Sequence, residues 1–167
     1  MSDRYMVMVI VAGAICVLIS LFSIDAGRID VYLGLLAIFT IAVGSRFTIE
    51  MPRFNSHISV SDIFIFLTLL LYGGEFAVLL AAAEATASAW RFCNKKLTVV
   101  FNAATMAVST SVVVLLLKYS GFYTASQLNA DNRHGLLIAL SLIALTQFSV
   151  NTALAAFHRS LHDNIPL

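Results

Sequence analysis

The sequence predicts an all-α, polytopic membrane protein, a bundle of about six short transmembrane helices. Of its 167 residues, 60% are hydrophobic and only 11% are charged, and the mean hydropathy is +0.92. An ordinary soluble domain has roughly 25% charged residues, so a soluble fold of this size could not cover so much apolar surface. No alternating barrel pattern is visible, and a lone span in lipid must satisfy its own backbone hydrogen bonds. The apolar runs are therefore interpreted as helices.

These runs follow one another along a single transmembrane domain covering residues 1–167. In chain order the spans are 6–24, 31–44, 58–72, 76–89, 98–117 and 136–157. The first run follows Arg4 and could be mistaken for a secretory signal. It is longer than a typical signal core and more spans follow, so we interpret it as a retained helix.

The breaks between the runs are short and polar. Asp25 and Asp30 mark the first break, and residues 46–57 form the second, which we predict to be a loop. Gly73-Gly74-Glu75 separates the third and fourth runs so closely that we predict a tight helical hairpin. Each arm would be about 22 Å long, less than a bilayer core of about 30 Å. A pair of short full spans is the preferred interpretation, and a re-entrant hairpin is the alternative.

Lysine and arginine counts in alternate loops predict the orientation. One set of loops and ends holds seven such residues: Arg4, Arg46, Arg53, Arg91, Lys95, Lys96 and Arg159. The other set holds three: Arg28, Lys118 and Arg133. We therefore expect a multi-pass protein of a bacterial cytoplasmic (inner) membrane with both termini in the cytoplasm.

Several classes of function are disfavoured by composition. The net charge is +1 and no basic stripe is present, so a nucleic-acid partner is not expected. Cys16 lies in an apolar run and Cys93 in a basic loop, without clustered cysteines or histidines. They therefore suggest neither a disulfide framework nor a zinc site. His158 and His162 could share a helix face but lack a third ligand nearby. With no nucleophile elbow or phosphate loop, we expect neither catalysis, nor a cofactor, nor a metal.

Glu84 is the main ionisable group predicted to lie inside a span. Such a group costs about 2.5–3.5 kcal/mol or more at the bilayer centre. Glu84 shares a stripe along one face of its helix with small and polar residues, namely Ala77, Ala81, Ser88 and Arg91. This face should therefore contact another helix. Glu84 is interpreted either as a ligand- or proton-sensing carboxylate or as a hydrogen-bonded or protonated packing residue.

Two other helices carry polar stripes. The fifth has Thr98, Asn102, Thr105 and Ser109, and the sixth has Ala144, Gln147, Asn151, Ala155 and His158. Such groups usually form hydrogen bonds across helix interfaces, worth about 0.6 kcal/mol on average. If the stripes converge, Glu84, Asn102, Gln147 and Asn151 would form a pocket for a small polar or amphipathic molecule.

Asp62 lies near the start of the third run, after Ser59 and Ser61. Either serine can cap the helix, which places Asp62 in the first turn at the positive end of the helix dipole. Capping is therefore the expected role of this group.

Three segments resemble a known family. The first is 59–75, which begins with Ser-Val-Ser-Asp and ends with Leu-Tyr-Gly-Gly-Glu. The second is 100–104, which contains Phe-Asn-Ala, and the third is 147–152, which contains an aromatic-x-x-Asn-Thr pattern. Together they are similar to the N-terminal membrane sensory region of bacterial signalling proteins with HD-GYP, GGDEF or histidine-kinase domains. The resemblance covers about residues 29–167 and implies further helices and a cytoplasmic effector. The chain is then expected to be either a fragment or a free-standing relative.

Three functional hypotheses follow. The first is a membrane-embedded sensory or regulatory module with a cytoplasmic effector domain as partner. The second is a substrate-binding subunit that resembles the six-helix components of energy-coupling-factor importers. The third is a membrane scaffold without a ligand, whose alanine-rich fourth helix would suit a homodimer.

Overall fold

The fold is predominantly helical. The computed structural model describes residues 2–25, 27, 29–44, 48–51, 56–59, 61–93, 95–120 and 133–163. The helices within this part are α1 Ser2–Phe22, α2 Val31–Gly44, α3 Ser61–Leu71, α4 Gly74–Phe92, α5 Lys96–Tyr119 and α6 Arg133–Asp163. Two short strands, β1 Thr48–Met51 and β2 Ser56–Ser59, lie between α2 and α3.

The strands correct the prediction of a plain polar loop over 46–57 and of a helix from residue 58. β1 and β2 pair antiparallel, with Thr48 opposite Ser59 and Met51 opposite Ser56. The segment contains β-branched residues and a proline, Pro52, which favour extended structure over helix. Pairing the two segments satisfies the backbone groups that face each other, and α3 begins only at Ser61.

Three helices within the described residues are long and apolar enough to cross a membrane. They cover Arg4–Phe22, Lys96–Tyr119 and Leu137–Leu161. The apolar helices α2 and α3 are shorter, with 14 and 11 residues. α4 has 19 residues but carries Glu75, Glu84 and Arg91. The predicted membrane character is thus supported by α1, α5 and α6.

Successive helices run in opposite directions. α5 and α6 are antiparallel, because the ring of Phe101 contacts that of His158 while Thr110 bonds to Gln147. α4 is antiparallel to α5, since Gly74 at its start faces Val114 near the end of α5.

The other contacts agree with this alternation. α2 and α3 are antiparallel, since Tyr72 Oη donates to Asp30 Oδ1 over 2.9 Å and the ring of Phe39 contacts that of Phe64. We call the end of the bundle where α1 and α5 begin and α4 ends the proximal end, and the opposite end the distal end.

The core is formed where α4 packs between α3 and α5. Ile65 of α3, Ala77 and Ala81 of α4 and Ala107 of α5 are fully buried there. Small residues allow the helix backbones to approach closely, which is how helices associate in the absence of a strong hydrophobic driving force in lipid. The centre of α4 therefore has neighbours on two sides, and its polar residues there are held away from water.

Gly73 connects α3 to α4 in a conformation reserved for glycine. Its φ of 104° and ψ of 174° lie in a region where a side chain costs about 1–3 kcal/mol. Gly73→Ala is therefore expected to lower the stability by about 1–3 kcal/mol in a detergent unfolding assay. Gly34→Ala is the matched control, because a Cβ at Gly34 of α2 meets nothing within 4 Å. Equal losses of stability in Gly73→Ala and Gly34→Ala would contradict the conclusion that Gly73 has a backbone conformation that requires glycine.

Candidate functional site

Glu84 lies buried in the middle of α4. Its side chain is 3% exposed, and Ser88 Oγ donates a hydrogen bond of 2.7 Å to its Oε1. Ala77 and Ala81, which precede it on the same stripe, are completely buried. The part of the stripe from Ala77 to Glu84 therefore faces into the bundle, as its spacing predicts, whereas Arg91 is exposed. Burial of the Glu84 carboxylate carries a desolvation cost.

A second carboxylate comes from the neighbouring helix. Asp62 lies in the first turn of α3, half-buried, and close enough to Glu84 for their charges to interact. The sequence assigned Asp62 only a capping role and did not connect it with Glu84. Two acidic groups from consecutive helices are thus close enough to interact electrostatically, and we call them the carboxylate pair.

The shortness of α3 brings the carboxylate pair together. α3 has 11 residues, so it is about 16 Å long and reaches only part of the way from the distal turn to the proximal end. Glu84 lies ten residues after Gly74, about 15 Å along α4 from the same turn. The first turn of α3 and Glu84 are therefore at the same depth.

The start of α3 also contributes a helix dipole. The first N–H groups of a helix have no partner within it, and together they carry a partial positive charge. Ser61, the first residue of α3, is completely buried. Carboxylates near such a terminus are stabilised, which gives a physical reason for two acidic groups at this place.

The predicted capping residues occupy different elements. Ser61 begins α3, whereas Ser59 is the last residue of β2. Val60, between them, lies outside the described residues. The position of Asp62 in the first turn agrees with the predicted capping arrangement, and the choice between the two serines stays a prediction.

The remaining predicted site residues lie on α5 and α6. Asn102 is half-buried, and its Nδ2 donates to Cys93 Sγ over 4.0 Å at the α4–α5 turn. Gln147 is 3% exposed, and its Nε2 donates to Thr110 Oγ1 over 3.2 Å. Its Oε1 has no hydrogen-bond partner among the described residues. Asn151 is half-buried on α6.

The four predicted pocket residues, all of them among the described residues, are not joined to one another by hydrogen bonds, and their convergence into one pocket stays a prediction. Within the described part of the chain, no hydrogen bond joins Glu84, Asn102, Gln147 or Asn151 to another member of this set. Asn102 bonds near the proximal end, whereas Gln147 meets α5 at Thr110, about 12 Å further along that helix. The interpretation as individual interhelical bonds therefore accounts for the α5 and α6 residues.

One further group was not anticipated from the sequence. Aromatic rings join α1, α5 and α6 at the proximal end, where His158 contacts Phe101 with ring centroids 4.7 Å apart and Tyr5 Oη donates to Leu154 O over 3.1 Å. Among the described residues there is no group of three or more His, Cys, Asp or Glu side chains that could hold a metal ion. The carboxylate pair is therefore the candidate site with the clearest chemistry.

Comparisons with protein-family models, curated proteins and solved structures give no match. The resemblance to bacterial sensory regions thus rests on its three sequence segments. In the structure these segments include α3 with its turn into α4, the start of α5 around Asn102, and the middle of α6 from Gln147.

The carboxylate pair can hold a proton or a small cation. Two negative charges close together and away from water repel each other strongly, so a shared proton or a bound cation relieves the repulsion. Ser88 and the start of α3 supply hydrogen-bond donors on either side. A proton or cation held there would lower the electrostatic repulsion between α3 and α4.

Proposed function

We propose that the protein is a membrane-embedded sensory or regulatory module whose input is the charge state of the carboxylate pair. The observation that carries the proposal is the burial of Glu84 beside Asp62 at the start of a half-length helix. Ionisable residues within membrane bundles are rare and commonly functional. Interrupted or unusually short membrane helices also commonly surround ligand sites.

In this proposal all six helices lie in a bacterial inner membrane, with the proximal end in the cytoplasm. The alternating helix directions and the seven lysine and arginine residues on one side support it. α3 is too short to cross alone, and the β hairpin completes its path to the proximal side. The hairpin of α3 and α4 is then shielded from lipid in part by α2, which contacts both.

The same geometry suggests how the signal would be transmitted. Removing the repulsion between Asp62 and Glu84 favours a closer approach of α3 to α4, whereas two negative charges favour separation. The β hairpin precedes α3 directly, so a displacement of α3 would move it on the cytoplasmic side. Such a switch needs two arrangements with different affinities for the proton or ligand.

The partner in this proposal is a cytoplasmic effector domain, as the family resemblance implies. The test is the intact mass of the native gene product in its own membrane. We expect a mass well above 18.1 kDa, with an effector domain following the bundle. A mass of 18.1 kDa with co-purification of an ATPase would instead support the importer subunit. Cross-linking of the short product only to itself would support the scaffold.

The orientation has its own expected result. In a background with both native cysteines replaced by serine, Lys118→Cys at the distal end should react with a membrane-impermeant maleimide in intact cells. Lys95→Cys at the proximal end should react only after permeabilisation. Both side chains are exposed in the structure, so accessibility within the protein does not limit either reaction. The reverse labelling pattern would overturn the proposed orientation.

A further inference from the structure

A cavity of about 200 Å³ lies between α1, α4 and α5 at the distal end. Its mouth includes Glu75 of α4 and Lys118 of α5, while Cys16 and Ser111 lie deeper. Ser111 is seven residues before Lys118, so the cavity extends about 10 Å along the helices. It is distinct from the carboxylate pair, which lies about 15 Å from the distal turn.

One polar side chain lies among the residues that line the cavity. Ser20 of α1 is 8% exposed and lies in the cavity wall. Other helix hydroxyls in this structure donate to a carbonyl of their own helix, as Thr105 Oγ1 and Ser111 Oγ do over 2.9 and 2.7 Å. A hydroxyl can both donate and accept a hydrogen bond, so Ser20 offers a polar contact to a molecule in the cavity.

Opposite charges stand together at the mouth. Lys118 Nζ lies 3.4 Å from Glu75 Oε1, and the two side chains are 47% and 28% exposed. An ion pair at such exposure contributes little stability, so its partners can be shared with a ligand. The Lys118 ammonium can pair with a carboxylate of the ligand, and the Glu75 carboxylate can pair with an ammonium of the same ligand. The cavity mouth therefore suits a zwitterion.

The deeper walls suit an apolar body. Val78 of α4 and Val114 of α5 are nearly fully buried, and Ile19 of α1 lies on the opposite side of the cavity. At roughly 10–15 Å³ for each water-sized group, the cavity holds on the order of ten to twenty non-hydrogen atoms. Leucine and phenylalanine do not exceed that capacity, so both fit in the cavity, whereas a whole phospholipid is too large.

We propose that this cavity binds a zwitterionic amphiphile of amino-acid size, with leucine and phenylalanine as the representative ligands. Lys118 holds the carboxylate, Glu75 holds the ammonium, and the side chain extends between α1, α4 and α5 towards Ser111. Ser20 forms a hydrogen bond with the polar part of the ligand. The proposal concerns a second site and does not depend on the sensory function.

The test is saturable binding of radiolabelled phenylalanine to the purified full chain in nanodiscs. Ser20→Leu, which fills the cavity, should weaken binding at least about tenfold, a change of about 1.4 kcal/mol. Lys118→Met should weaken it by about threefold or more, as expected for loss of one partly exposed charge contact. Ser141→Leu is the matched control, because Ser141 is exposed on α6, and it should bind like the unaltered protein.

Ligand analogues separate the proposal from a simple lipid groove. 3-Phenylpropionate lacks the ammonium and phenethylamine lacks the carboxylate, so each should compete at least about threefold less well than phenylalanine. Decanoate should compete no better than these analogues. The proposal fails if phenylalanine and leucine do not bind saturably, if decanoate outcompetes them, or if both Ser20→Leu and Lys118→Met retain full binding. A normal elution volume for each variant shows that its fold is intact.

Discussion

Replacing Gly13 with leucine is expected to separate α1 from α5 and to cause a large loss of stability. A Cβ at Gly13 would lie 2.5 Å from both the Cα and the Cβ of Ala104, so even a methyl group collides with backbone. Backbone atoms cannot rotate away as a flexible side chain can. We expect a loss of about 3 kcal/mol or more, at or beyond the upper range for overpacking. Thermal unfolding in detergent, followed by circular dichroism, measures it.

Ala14→Leu is the matched control for this experiment. Ala14 is the next residue on α1 and is exposed on the outer surface of the bundle, so the same added side chain meets no neighbouring helix. Its unfolding should therefore stay close to that of the unaltered protein. If Gly13→Leu and Ala14→Leu unfold alike, the close packing of α1 on α5 is wrong.

If the proposed sensory function is right, replacing Glu84 with glutamine should strongly reduce the response while leaving membrane insertion intact. Glutamine keeps the size of the side chain and can still accept the hydrogen bond from Ser88, so a packing role would survive. The charge is lost, so a role in switching would not. Coupling between a site and a distant output is typically 5–150-fold, and we expect a loss within that range. Effector output and membrane fractionation are the measurements.

Asp62→Asn provides the second half of this experiment. If the two carboxylates act as one unit, Asp62→Asn should reduce the response to a similar extent, and the double variant should be no worse than either single one. Interacting residues commonly show such non-additivity, with coupling of 0.5–3 kcal/mol. Additive losses of response in the double variant would show that Asp62 and Glu84 act independently. A normal response in both single variants would exclude the carboxylate pair as the input.

Asn102→Ala distinguishes the carboxylate pair from the broader pocket predicted from the stripes. Asn102 Nδ2 donates to Cys93 Sγ at the proximal turn and not to Glu84. We therefore expect this variant to keep most of the response. A loss as complete as that of Glu84→Gln would instead support the converging pocket that the sequence suggests.

Helix limits follow closely from the apolar runs. The second run, 31–44, coincides with α2, Val31–Gly44, and the fifth lies within α5. This agreement has a physical cause, because long apolar segments without charge form helices that satisfy their own backbone groups. The third run was the exception. Ile58 continues the apolar run in sequence, yet it belongs to β2, because strand pairing depends on a partner residue, Ile49, nine positions earlier.

The sequence by itself determined the helical membrane character, the alternation of apolar runs with short polar breaks, and the inward-facing position of Glu84. Those properties depend on local composition and on the helical repeat, which can be read from one segment at a time. Only the tertiary structure decided that Asp62 lies beside Glu84, that Gln147 meets Thr110 and not Glu84, and that a cavity opens at Ser20. Each of these depends on the depth at which separate helices meet, and that depth is set by the late start of α3 and by the close contact of Gly13 with Ala104.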